Sequence, residues 1–182
     1  MKCSLQLLIA ALATASPLIF ERDLASVTKV VQSVGSKIDA LDTVIRNFAG
    51  DTAGVVTASE ALVSTVMSGI SEVEKSEELP LNDAVKLIGP VADLEKHGQK
   101  LRDDLKSQRK QIRKLKKCEE TRQQIRNISF AAQQLTKALT SKVPARARPI
   151  AESKAKGFLD ILATAKKDFD EDDCSDTKPD DD

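Results

Sequence analysis

The chain has 182 residues, enough for one domain around one core, and with no tryptophan or tyrosine and only five phenylalanines that core is aliphatic. Twenty-eight basic residues balance 28 acidic ones, and a single histidine leaves neither a structural metal set nor an evident acid, base and nucleophile for hydrolysis. Seven glycines and six prolines, thinly scattered among good helix formers, favour an all-α fold over any sheet.

Met1 to Ala15 carries Lys2, the apolar run LQLLIAALA and the small-residue site Ala13-x-Ala15. That order reads as a secretory signal cleaved after Ala15, in preference to a buried N-terminal helix. The run falls short of the ~20 residues a transmembrane helix needs. No later segment reads as apolar enough to span a bilayer, so the mature protein is expected to be exported. Residues 16–22, with Pro17, are expected to be a short extended segment. The domain proper is expected over residues 23–169.

A first helix is predicted from Asp23 to Phe48. Leu24, Val27, Val31, Val34, Ile38, Leu41, Ile45 and Phe48 recur at steps of three and four and form one stripe. Gly50 and Gly54 bracket the turn that follows. The second helix, about Val55 to Glu78, places Val55, Leu62, Val66, Ile70 and Val73 on one face, with Met67 beside them. Leu79, Pro80 and Asn82 interrupt the pattern, and Asn82-Asp83 is a good helix start. The third helix then carries Leu87, Val91, Leu94, Leu101, Leu105, Ile112 and Leu115 on a seam left vacant at Gly98 and Gln108, with a kink at Gly89-Pro90.

Gln99 to Lys142 contains no glycine or proline, so the next boundary rests on Thr121-x-x-Gln124, a capping-box pattern that puts a turn near Lys117 to Thr121. The fourth helix uses Ile125, Ile128, Ala132, Leu135 and Leu139 and stops before Pro144. The fifth begins near Ala145, tolerates Pro149 in its first turn and buries Ile150, Phe158, Ile161, Leu162, Ala165 and Phe169. Five such helices predict an up-down bundle with near-antiparallel packing. Residues 170–182 form an acidic tail expected to be disordered.

Cys3 leaves with the signal, so the exported chain keeps Cys118 and Cys174. In an up-down bundle the third and fifth helices end together, which puts both cysteines at one end. A Cys118–Cys174 disulfide is the expectation, against two free thiols or pairing between molecules. From Asp168 to Asp182 there are nine acidic residues and one lysine, while Lys106 to Lys117 is strongly basic. That basic run could attract anionic lipid or nucleic acid; lacking aromatics to stack bases, it reads as a solvated face or one neutralised by the chain's own tail. His97 reads as a polar residue at the edge of a helix face rather than a ligand or base. Asn127-Ile128-Ser129 is a glycosylation sequon on an exported chain.

The opening DLASVTKVVQSVGSKIDALDTVIRNF, the later LNDAVKLIGPVADL and the ALTSKVPA before the fifth helix resemble the fungal hydrophobic-surface-binding protein A family, which includes cell-wall galactomannoproteins. The resemblance covers roughly Phe20 to Phe169. It implies a secreted or wall-associated helical bundle, not an enzyme, that adsorbs to hydrophobic surfaces and holds a fatty acid between its helices. No cofactor, metal or nucleic-acid partner is implied. The Ser/Thr-rich region of many relatives is missing here, and the basic run is a departure. With the family as guide, the residues expected to line a lipid cavity are Leu41, Ile45, Leu62, Val66, Met67, Ile70, Leu94, Leu101, Ile128, Leu135, Phe158 and Ile161. Ser129, Gln133 or His97 would supply donors to a buried carboxylate. The alternative is a structural or interaction protein of the wall or host interface, with a dry core and no small ligand.

Overall fold

The computed structural model describes residues 17–177. The signal assigned to residues 1–15, with Cys3, and residues 178–182 lie outside them. The described residues form helices α1 (Pro17–Arg46), α2 (Thr52–Lys75), α3 (Leu81–Lys86), α4 (Ile88–Ser107), α5 (Arg109–Lys114), α6 (Cys118–Ser141) and α7 (Arg148–Asp168), and no strand. Five of these are long staves of 20 to 30 residues; α3 and α5 have six residues each.

The stripe of α1 is buried as its spacing requires: Val27, Val31, Val34, Ile38, Leu41 and Ile45 are each at most 3% exposed. Its start is a correction. The segment 16–22 is not extended where it is described, because α1 begins at Pro17, and proline suits a first helical turn whose N–H groups have no intrahelical partner. Asp23, expected at the helix start, instead accepts a hydrogen bond from the Glu77 N–H at 3.4 Å, beyond the far end of α2. Gly50, at φ 99°, makes the following turn, and Asp51 caps α2 by accepting from the Gly54 N–H at 3.0 Å.

The predicted third helix is three helices. Lys86 ends α3, and Pro90 falls in the first turn of α4, where its missing N–H costs nothing; the kink therefore lies before Gly89-Pro90. Gln108 separates α4 from α5. The turn into α6 comes earlier than the capping-box pattern indicated. Lys116, at φ 54°, turns the chain, α6 starts at Cys118, and the Thr121 hydroxyl donates back to the Lys117 carbonyl from inside the helix.

Neighbouring staves contact one another in the order α1, α2, α6, α7, α4 and back to α1, a ring rather than the chain order. Contacts at matching levels fix the directions. Asp39 meets His97, Asp42 meets Lys100 and Arg46 meets Asp104, so α1 and α4 run parallel. Val30 against Gly69 and Asp23 against Glu77 make α1 and α2 antiparallel. Near-antiparallel packing therefore holds for only part of the ring. The α2–α4 and α4–α6 connections each cross it, which is why sequential helices are not all neighbours.

Residues 170–177 are not a disordered tail. Cys174 is bonded to Cys118 with Cα atoms 5.5 Å apart, and both are fully buried. Asp176 then caps α6, accepting from the Cys118 N–H at 2.7 Å and the Glu119 N–H at 3.1 Å. Arg122 donates to the carbonyls of Phe169 and Cys174. The acidic stretch meets the basic one as well: Arg109 pairs with Asp173, and Lys106 with Asp168. Asp168 is 12% exposed; burial alone would raise its pKa, but hydrogen bonds from Lys106 and Arg102 hold it below the ordinary carboxylate range.

Candidate ligand lumen

The inward faces of the five staves do not meet. Between them lies a partly open lumen of about 180 Å³, and its wall is almost wholly aliphatic. Interiors normally leave few voids larger than one water. The composition explains this gap: the inward positions are Val, Ile, Leu and Ala, and the ring has too few aromatic side chains to reach its axis. Phe158 is the exception on the wall other than Phe48. A Cβ placed on Gly98 would lie 2.7 Å from its ring, so Phe158 fills the vacancy that Gly98 leaves on its seam.

Ten of the twelve expected lining residues reach the lumen: Leu41, Ile45, Leu62, Val66, Leu94, Leu101, Ile128, Leu135, Phe158 and Ile161. Two do not. Met67 follows Val66 by one residue, a rotation of about 100°, and is 46% exposed on the outside of α2. Ile70 shares the face of Val66, but packs half-buried against the core one turn beyond the last α2 residue on the lumen wall. The expected carboxylate donors also lie elsewhere. Ser129 is 1% exposed but off the wall, and Gln133 is exposed. His97 Nδ1 pairs with Asp39 Oδ1 at 2.6 Å across α1 and α4, outside the lumen. Asn127 is exposed on α6 and accepts from Gln123 at 2.9 Å.

Polar wall residues were missed. Ser59 on α2 and Thr121 and Gln124 on α6 line the lumen, as do Gln108 and the paired Lys117 and Glu120. A legible signal existed for Gln124, since Thr121, Gln124 and Ile128 continue the three- and four-residue steps of the inward stripe with polar residues. Gln124 Oε1 is buried and has no hydrogen-bond partner among the described residues.

The expectation of no later membrane-length apolar segment needs amending. By length and composition α2 could cross a bilayer, with a mean hydropathy of 1.4 over 18 residues. In the ring its apolar face borders the lumen.

Residues 24–141 match the family model described as hydrophobic surface binding protein A. The chain is 31% identical over 151 residues to cell wall mannoprotein 1 of Aspergillus flavus, covering 82% of this chain and 55% of that protein. It thus spans about half the length of that curated relative. Among solved structures, ligand binding domain 1 of the Penicillium marneffei MP1 protein, complexed with arachidonic acids, has a TM-score of 0.78 and 22% identity, covering 81% of this chain and 99% of that one. AfMP4p in complex with palmitic acid has a TM-score of 0.74 and 14% identity, covering 80% and 99%.

Proposed function

Because the chain belongs to the hydrophobic surface binding protein A family, we propose that its lumen holds a long-chain fatty acid or a similar lipid, and that the protein works at the cell wall or outside the cell as a binding protein rather than an enzyme. The observation that carries this reading is an aliphatic lumen of about 180 Å³ in a fold shared with two proteins solved with fatty acids. Each methylene buried from water contributes about 0.8 kcal/mol, so a long acyl chain gains on the order of 10 kcal/mol before association costs. A packed interior offers nothing comparable, which sets this reading above a structural protein with a dry core.

The purified protein is expected to release a fatty acid into an organic extract, detected by mass spectrometry. Val66, 4% exposed on the lumen wall, provides the site test. Val66→Trp fills the lumen with bulk and is expected to lower fatty-acid affinity at least tenfold while the helical circular dichroism remains; unchanged uptake by the folded variant would place the lipid elsewhere.

Adsorption to hydrophobic surfaces follows from the same architecture. Staves whose stripes face a lumen can exchange those contacts for an apolar surface, since the hydrophobic effect has no direction. Wax particles are expected to deplete the protein from solution, and full retention in the supernatant counts against adsorption.

A further inference from the structure

We propose that Gln124 receives the head of the lumen's lipid, and that it does so as a protonated carboxylic acid. The inference rests on the fatty-acid reading and adds the orientation of the ligand and the chemical form of its head. Gln124 lines the lumen from the second turn of α6, and its Oε1 is buried without a partner among the described residues. An orphaned acceptor on an apolar wall calls for a ligand that brings a donor. A primary amide and a carboxylic acid match in a two-bond pair: the acid O–H donates to the amide oxygen, and one amide N–H donates to the acid carbonyl. Exchange of the amide oxygen and nitrogen positions leaves that pair intact.

The surroundings favour the neutral acid. The charged side chains on the lumen wall are Arg102, Lys117, Glu120 and Lys154. Arg102 is taken by Asp168 and Asp103, and Lys117 by Glu120, so no free cation faces Gln124 from α4 or α6. The Lys117–Glu120 pair is neutral overall and offers no net positive charge one turn before Gln124, and an apolar wall itself disfavours a carboxylate. Lys154 is exposed, in the first turns of α7 and toward the opposite end of the ring. The lipid head therefore lies at the end where the disulfide joins α6 to the residues after α7, and the tail points toward α3.

The experiment uses the delipidated full chain with palmitic acid and methyl palmitate, whose ester lacks the O–H donor. At a pH below the ordinary carboxylate range, where the free acid already carries its proton, wild type is expected to bind the acid about tenfold or more tightly than the ester, the cost of leaving a buried acceptor unmet. Gln124→Leu and the length-matched Gln124→Met are expected to bring that ratio near one by weakening the acid, with ester affinity and helical content kept. An unchanged ratio in either folded variant overturns the proposal, as does a ratio that collapses with Lys154→Met instead. A measurement on wild type needs no variant. Carboxyl-labelled palmitic acid followed by carbon NMR is expected to keep the protonated signal through neutral pH when bound, and a carboxylate signal there overturns the assignment. Binding of neither ligand by wild type defeats the lipid reading itself, which is distinguishable from tight but undiscriminating binding.

Discussion

Asp42 shows how a single side chain can be held between two helices at a cost. It is 1% exposed, its Oδ2 pairs with Lys100 at 2.6 Å and with Arg46 at 3.1 Å, and its Oδ1 has no close hydrogen-bond partner among the described residues. Burial alone would raise its pKa, yet the hydrogen bond from Lys100 and the neighbouring charges hold it below the ordinary range. Asp104 bears the consequence: hydrogen bonding to the neighbouring Asp42 carboxylate, with burial and that carboxylate's charge, raises its pKa. As pH rises past the ordinary carboxylate range the unfolded chain releases this proton before the folded one does, so this contribution to stability declines and is gone above the folded pKa. Asp104→Asn carries a permanent donor. It is expected to match wild type in acid and to gain about 1 kcal/mol at neutral pH, measured by urea unfolding at both pH values. A difference independent of pH would show that the proton is not shared. No sequence pattern announces this cluster, because Asp42 and Asp104 lie on helices whose alignment only the fold sets. His97 was legible as a helix-edge polar residue, but its partner Asp39 was not, for the same reason.

At the scale of elements, periodicity was a good guide within the staves, though Ile150 and Leu115, expected on inward faces, are 55% and 38% exposed near helix ends; caps were a poor guide. The stripe of α1, the glycine turn after it and Pro149 at the start of α7 all lie where the residue spacing put them. The start of α6 does not. Thr121 and Gln124 have capping-box spacing, but Lys116 already turns the chain and the cap comes from Asp176, more than fifty residues away. A local rule cannot find a cap supplied by another part of the chain. The same blindness made residues 170–177 look disordered, since their acidic composition predicts no core and says nothing of the amides they satisfy. Asp176→Ala should cost about 1 kcal/mol of unfolding free energy in urea. Asp176→Asn should recover most of it, because asparagine caps nearly as well; equal losses in both variants would point to charge rather than capping.

For the whole molecule, ten of the twelve residues expected on the lumen wall lie there because a helix stripe must face inward whichever neighbour it meets. The ring order was not legible. Two connections cross from one stave to a non-neighbour, and an alternating pattern of apolar steps is indifferent to which helix stands beside which. The polar end of the lumen was obscured for a related reason: Thr121 and Gln124 were read as the start of a helix instead of as part of its inward face.

The bond between Cys118 and Cys174 also turns the last third of the chain into a covalent circle. By the loop-entropy account such a closure is worth about 4 kcal/mol, but its mechanical consequence is separate. Within the circle, α6 and α7 are joined at one end by the disulfide and at the other by residues 142–147, so one peptide bond can be cut without parting them. Arg146 is exposed in that connection and precedes Ala147, which makes it a site for trypsin. A protein nicked there is expected to keep its full mass on a non-reducing gel and to yield two fragments only after reduction, whereas fragments that part without reductant would mean the circle is open. A chain built this way tolerates a cut in that connection, because the severed stave remains tethered to its place in the ring.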